Sequence, residues 1–330
     1  MATAKCLDSA KAEAGPIDMA KLLGGTYAPF AIIGISSSGK TLYAHMVLHT
    51  FRQRPTIKLI NKTAIPLSQS DLADYNALND SLFSRKTLPE SNQQQDESAH
   101  PWTVESGTGR KTKKACFTLL DYDGEKVDSY LGDSSSSLYK QAAAAKGFII
   151  LIDPLSLPEI RTAARLRVNM LGADNMWALK GNYKNGQTIL DKVLPLIKNA
   201  VPTDNLDGGE KLNRPVAIVF TKFDVFYNLF DKGINPIETH ANLPAYIRGK
   251  KLDMKKIEND SAKILSWLEV NKADNFQNTI ESSISDKNIC YFAVSSLGQT
   301  PDDGVRLRSE PRPHLVLNPI LWLFERCGFF

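Results

Sequence analysis

The sequence predicts an α/β fold: a mostly parallel central sheet with helices on both faces. Three observations predict it. Short apolar runs of strand length alternate with segments of helical periodicity from about residue 28 to the end. One such alternation encloses Gly34-Ile35-Ser36-Ser37-Ser38-Gly39-Lys40-Thr41, a complete G-x-x-x-x-G-K-[ST] phosphate loop. Four polar motifs each follow a predicted strand, which sets them along the carboxyl edge, where open α/β sheets bind ligands. With the loop included, the class narrows to the P-loop NTPase three-layer sandwich.

Composition fits this class. The 330 residues are long for one domain but suit an α/β domain with insertions, and 42% hydrophobic content is ordinary for a soluble globular protein. No apolar run reaches the roughly 18 residues that would suggest a membrane span. The first residues lack the apolar core of a secretory signal, so a cytoplasmic protein is expected. The four cysteines, Cys6, Cys116, Cys290 and Cys327, share no metal-ligand spacing, and Cys116 and Cys290 sit in apolar runs. A net charge of +4 gives no ground for nucleic-acid binding.

In chain order, residues 1–27 form a weakly patterned N-terminal extension, with a short helix at Ile17–Leu23. A strand at Pro29–Ile33 enters the phosphate loop, and a helix runs from the loop to about Arg52. Thr56–Ile60 alternates like an edge strand. Asp71–Phe83 is expected to be helical with Ser70 as its cap. Ser84–Lys114, rich in Gln, Ser and Gly and ending in the basic run Arg110–Lys114, is expected to be a long polar loop. Ala115–Leu120 is a buried strand running into Asp121-Tyr122-Asp123-Gly124. A polar stretch, Glu125–Ser137, precedes a helix at Leu138–Ala145 and a strand at Gly147–Asp153. Helices are expected at Pro154–Leu171 and Thr188–Ala200, a strand at Pro215–Phe220, one or two helices before Asn288, the clearer at Asp253–Glu269, and a last strand at Asn288–Val294. A Pro-rich link, Pro301–Pro313, leads to a closing helix at Pro319–Cys327, with Asn318 as its cap. The nucleotide-binding domain is thus expected over 28–300, with a polar insertion at about 84–114 and helical insertions at about 172–210 and 225–288; residues 301–330 close the same domain.

The spacing of the loop has a physical meaning. Gly34 and Gly39 let the backbone approach a phosphate, and the loop turns the N–H groups of Ser36, Ser37 and Ser38 inward. The helix begun at Gly39–Lys40 adds its positive end, near Leu42. Lys40 would reach the β- and γ-phosphates, and the Thr41 hydroxyl would be one ligand of Mg²⁺. Asp121, ending a strand, would hold the same ion, and the Gly124 N–H could contact the γ-phosphate.

The motif order GISSSGKT, DYDG, TKFD and SSLG resembles that of the Ras-like, translation-factor-related class of P-loop GTPases. The resemblance covers about residues 28–300. It implies that Thr221, Lys222 and Asp224 read guanine, with Asp224 accepting from the base N1–H and 2-amino group and the stem of Lys222 lying along the base. Adenine lacks those donors and would leave a buried carboxylate unmatched. Ser295, Ser296 and Leu297 resemble the loop that supports guanine from the other side. The Asp-x-x-Gly-Glu ending, the long loop before it and Pro319-Ile320-Leu321-Trp322-Leu323 look like the prokaryotic double-GTPase type of TRAFAC domain, which implies a place in bacterial conflict or defence systems.

The departures from the pattern matter as much. Many Ras-like enzymes carry Gln directly after D-x-x-G; here Glu125 stands there, so slow hydrolysis is expected unless a partner supplies a cation. Thr87 and Ser91 are the candidates for the first-switch hydroxyl on Mg²⁺, and Arg85 or Arg110 for an arginine acting in cis. A protein partner would act through the switch loops. The rival readings are a non-catalytic GTP-binding scaffold, and an ATPase or P-loop kinase. His45 and His49, four apart on a helix, are expected in packing or on a helix surface rather than in a metal site. Trp177, Trp267 and Trp322 are expected to pack.

Overall fold

The computed structural model describes residues 26–34, 38–53, 65–66, 69–89, 98–106, 113–121, 132–134, 136–171, 183, 185–208, 210–226, 247–248, 251–302 and 304–329. β1 (Thr26–Gly34) leads through the phosphate loop to α1 (Lys40–Gln53), followed by β2 (Ile65–Pro66), α2 (Gln69–Asn79) and a π turn at Asp80–Ser84. Next come β3 (Ser98–Ser106), β4 (Lys113–Asp121), α3 (Ser137–Ala144), β5 (Gly147–Ile152), α4 (Pro158–Leu171) and α5 (Gly186–Ala200). A small hairpin, β6 (Leu206–Asp207) and β7 (Lys211–Leu212), precedes β8 (Val216–Phe220). A second hairpin, β9 (Ile247–Arg248) and β10 (Lys251–Leu252), leads to α6 (Met254–Val270), α7 (Asp274–Ser283), β11 (Ile289–Ala293) and α8 (Asn318–Arg326).

The main sheet has the order β11-β8-β5-β1-β4-β3-β2. Its first five strands run parallel, and β3 and β2 are antiparallel additions. Strands buried on both faces carry unbroken apolar runs, as parallel sheets require. Gly147–Ile152 and Val216–Phe220 are buried at every position. Around them α1 packs on β1 and β4, α3 on β1, α6 on β11, and α8 on β5 and β8. With the phosphate loop joining β1 to α1, this is the three-layer sandwich of a P-loop NTPase.

Local chemistry sets the helix ends. Ser136 caps α3 by accepting from the Tyr139 N–H, Asn185 caps α5 through Gln187, and Asp253 caps α6 through Lys256. Trp267 of α6 is the centre of an aromatic cluster beneath the end of β8, with the rings of Phe220, Phe223 and Phe226 at 5.9, 5.4 and 5.9 Å. Trp322 packs on Phe292. Both tryptophans are packing residues; Trp177 lies outside the described residues, as do Ile17–Leu23 and Thr56–Ile60.

Four local expectations are corrected. Ser84–Lys114 is not loop throughout: Ser98–Ser106 is a strand paired along its length with Lys113–Asp121. Ser70 lies within α2, which starts at Gln69. Pro154–Leu171 is interrupted, with a 3₁₀ turn at Pro154–Ser156 under the cap of Asp153 before α4 begins. Asn318 is the first residue of α8 rather than its cap, and both atoms of its buried amide lack hydrogen-bond partners among the described residues.

Candidate functional site

Strand register brings the motifs to one edge. Ile32 pairs with Leu119, so Gly34 and Asp121, each two residues further on, are level at the carboxyl ends of adjacent strands. Gly34 pairs with Leu151, and Ile152 with Phe220, so Asp153 and Thr221 leave their strands side by side. Ala293 pairs with Phe220, which brings Ser295 to the same edge.

At the phosphate loop, Gly34 has no room for a side chain: a Cβ there would overlap the Lys40 stem and lie 2.5 Å from the Ser38 Oγ. Gly39 takes φ +76°, a left-handed conformation that favours glycine. Lys40 is buried and its Nζ donates to the Gly34 carbonyl at 3.3 Å. The Ser38 hydroxyl is buried without a hydrogen-bond partner among the described residues. A buried hydroxyl left in this way is suited to a polar ligand. Thr41 is exposed at the start of α1, and Leu42 packs against the small cluster of Met46, Leu82, Leu297 and Leu307.

The second end of the site is built after β8. Thr221 donates its hydroxyl to the Ser38 carbonyl at 2.7 Å, joining this end to the phosphate loop. Lys222 has φ +53°, and its Nζ bonds the buried Asp153 carboxylate at 2.8 Å. The other Asp153 oxygen accepts from the Leu155 N–H at 2.9 Å. Asp224 accepts from the Ser295 hydroxyl at 2.5 Å on one oxygen and from the Thr300 hydroxyl at 3.0 Å on the other. Burial pushes the Asp224 carboxyl above the usual carboxylate range, while hydrogen bonds from Ser295, Thr300 and the Asp224 backbone N–H, and then the Lys222 charge, oppose that rise. Ser295, Ser296 and Leu297 are all buried.

The structure thus gathers Gly34, Ser38, Gly39, Lys40, Thr221, Lys222, Asp224, Ser295, Ser296 and Leu297 at one edge, with the backbone of Asp121. Ser36, Ser37, Gly124, Glu125, Ser91 and Arg110 lie outside the described residues. Thr87 is placed against Ser81 and bridges Arg306. Arg85 is exposed and paired with Asp80 at 2.9 Å. His45 and His49 stack in the α1–α2 packing with Tyr75 and Phe83. Burial first, and then the charge of His49, pushes His45 down to about 3.

Two residues were absent from the sequence-level set, Asp153 and Thr300. Asp153 carries the same signal as Asp121, an acid closing an apolar strand. Thr300 carries none, since its partner lies 76 residues away.

No protein-family model and no curated protein matches this chain. Among solved structures it is similar to Sup35 complexed with GDP, at 11% identity over 83% of this chain and 38% of that one, with a TM-score of 0.31. It is also similar to the Ski7 GTPase-like domain of S. cerevisiae bound to GTP, at 9% identity over 96% of this chain and 53% of that one, with a TM-score of 0.42. The chain therefore spans from under two-fifths to about half the length of these structures. The fold assignment rests on the strand order and the phosphate loop themselves.

Proposed function

We propose that this chain binds guanine nucleotides and hydrolyses GTP to GDP and phosphate. The observation that carries the reading is Asp224, a half-buried carboxylate fixed by two hydroxyls at the sheet edge that also holds the phosphate loop. β8 lies two strands from β1, about 10 Å at ordinary strand spacing. A nucleoside can bridge that distance. In this reading Asp224 accepts from the N1–H and 2-amino group of guanine, and Lys222, steadied by Asp153, lies along the base. Ser295, Ser296 and Leu297 close the pocket.

The loop amides of Ser36, Ser37 and Ser38 and the Lys40 ammonium would stabilise charge on the phosphates during in-line attack of water. Gly124 would donate its N–H to the γ-phosphate and Glu125 would orient the water. Mg²⁺, when bound, would neutralise charge on the β- and γ-phosphates. Thr41 and Asp121 suit it, since hydroxyl and carboxylate oxygens are the hard ligands this ion takes alongside phosphates and water; Thr87 is the candidate third ligand. Among the described residues no group of three or more His, Cys, Asp or Glu offers another metal site.

The same reading makes the chain a molecular switch of slow turnover, because Glu125 places charge near the γ-phosphate. Its partner would engage the switch loops, and the double-GTPase resemblance suggests a prokaryotic defence setting. A cytoplasmic site of action belongs to the same proposal; no described helix is long and apolar enough to cross a membrane. Glu125 also favours a second reading, a scaffold that holds GTP without cleaving it. The test is equilibrium binding of GDP, GTP and ATP analogues with Mg²⁺, then hydrolysis. Guanine selectivity with turnover is expected. Selectivity with GTP intact for hours in the presence of a partner would favour the scaffold, and no guanine preference would overturn both.

A further inference from the structure

Thr300 lies in a strap whose two feet are pinned. At one foot Ser295 and His314 exchange backbone hydrogen bonds at 3.1 and 2.7 Å, and the Arg312 N–H donates to the Leu297 carbonyl at 2.8 Å. A Cβ on Gly298 would overlap the Arg312 carbonyl, so the strap lies flush against the loop after β11. Within the strap, Gln299 donates to the Ser309 carbonyl at 2.8 Å and accepts from the Arg308 N–H at 3.1 Å. At the other foot Leu88 donates to Val305, and Leu307 to Lys86, both at 2.8 Å. Leu297, Leu307, Leu82 and Met46 share one small apolar cluster, with Leu88 packed on it. Thr300 is therefore presented to Asp224 by a held backbone, not by a free loop.

The chemistry of the contact is specific. An ionised carboxylate has about four acceptor positions on its two oxygens. Ser295 fills one on Oδ1 and Thr300 one on Oδ2. The Asp224 backbone N–H adds a further hydrogen bond to the carboxylate, and the two oxygens lie side by side as two parallel donors would require. Two hydroxyls, one per oxygen, also fix the plane of the carboxylate, and loss of the Thr300 hydroxyl would leave Oδ2 without its hydroxyl anchor.

We propose that Thr300 is a positioning residue of the base pocket: its hydroxyl holds the second oxygen of Asp224 in register for a bidentate base, so it sets selectivity for a purine carrying a 2-amino group. This rests on the guanine-site reading above. The test uses the full chain with GDP and IDP, whose hypoxanthine base keeps N1–H and lacks the 2-amino group. Thr300→Val keeps the shape and removes the donor; Thr300→Ser keeps the donor.

The expected result is that Thr300→Val weakens GDP about tenfold, the cost of one misaligned hydrogen bond in a buried site. IDP weakens clearly less, and Thr300→Ser restores the wild-type GDP:IDP ratio. A GDP:IDP ratio unchanged in Thr300→Val, whether both ligands weaken equally or neither does, overturns the inference and leaves the base-site reading standing. A wild-type chain that does not distinguish GDP from IDP and ADP overturns the base-site reading and this inference with it.

Discussion

The two ends of the site treat their polar groups in opposite ways. At the phosphate end the Ser38 hydroxyl is buried without a hydrogen-bond partner among the described residues, and Lys40 turns back onto the Gly34 carbonyl. At the base end Asp224 has a hydroxyl on each oxygen, and Lys222 is already neutralised by Asp153. One end leaves a buried hydroxyl for a ligand to satisfy, while the other holds its carboxylate in place by internal hydrogen bonds and offers a fixed template. Buried polar groups are costly when unmet, so the phosphate end is stabilised most by ligand, and the base end carries its order in the free protein.

The largest expected effect breaks the base end from below. Trp267→Ala removes the ring on which Phe220, Phe223 and Phe226 pack, and should cost about 3–5 kcal/mol in denaturant unfolding. If folded protein remains, GDP affinity should fall while binding of inorganic tripolyphosphate, which has no base, holds. Equal loss of both would show that the two ends are not separable. Next comes Lys40→Ala, which removes a cation with charge-assisted bonds to phosphate. GDP and tripolyphosphate should both weaken roughly 100-fold, with melting temperature little changed. Retained tight binding would sink the phosphate-loop reading.

How much of this was legible in the sequence follows from how local each signal is. β1, the loop and α1 could be read because motif and periodicity coincide within Phe30–Phe51. β5, β8 and β11 could be read because both faces are buried and the runs are unbroken. β3 could not: Ser98–Ser106 reads as polar, and Pro101 argues against a strand flanked on both sides. The structure accommodates it because β2 is two residues long and reaches only Trp102 and Thr103. Asp224 and Ser295 stood in recognisable tetrads. Thr300 and the Asp153–Lys222 pair depend on contacts across 76 and 69 residues, which no local pattern encodes. The Asn318 cap failed for a related reason: α8 packs on β5 and β8, and tertiary burial overrode the local preference of Asn for the capping position.

A smaller effect sharpens the comparison. Asp224→Asn keeps the shape but replaces an acceptor by a donor, so guanine preference over adenine should fall roughly tenfold to a hundredfold, with tripolyphosphate binding unchanged. Guanine preference that survives this variant would remove Asp224 from base reading.

Acid offers the mildest way to divide the two ends, because Asp224 titrates out of the usual range. Burial raises its folded-state pKa above the unfolded value, so folding disfavours the charged form. The sign is then fixed: protonation relieves a cost of folding as pH falls through the raised pKa, and the cost returns as pH rises. The same proton removes an acceptor that the base needs. Stability contributed by Asp224 and affinity for the base should therefore move in opposite directions on acidification. The ratio of GDP to tripolyphosphate affinity should begin to fall above the ordinary carboxylate range, and the fall should be absent in Asp224→Asn. A ratio that stays flat until ordinary carboxylate pH would mean that Ser295, Thr300 and Lys222 outweigh burial, and that the base end is more fully charge-compensated than its burial implies.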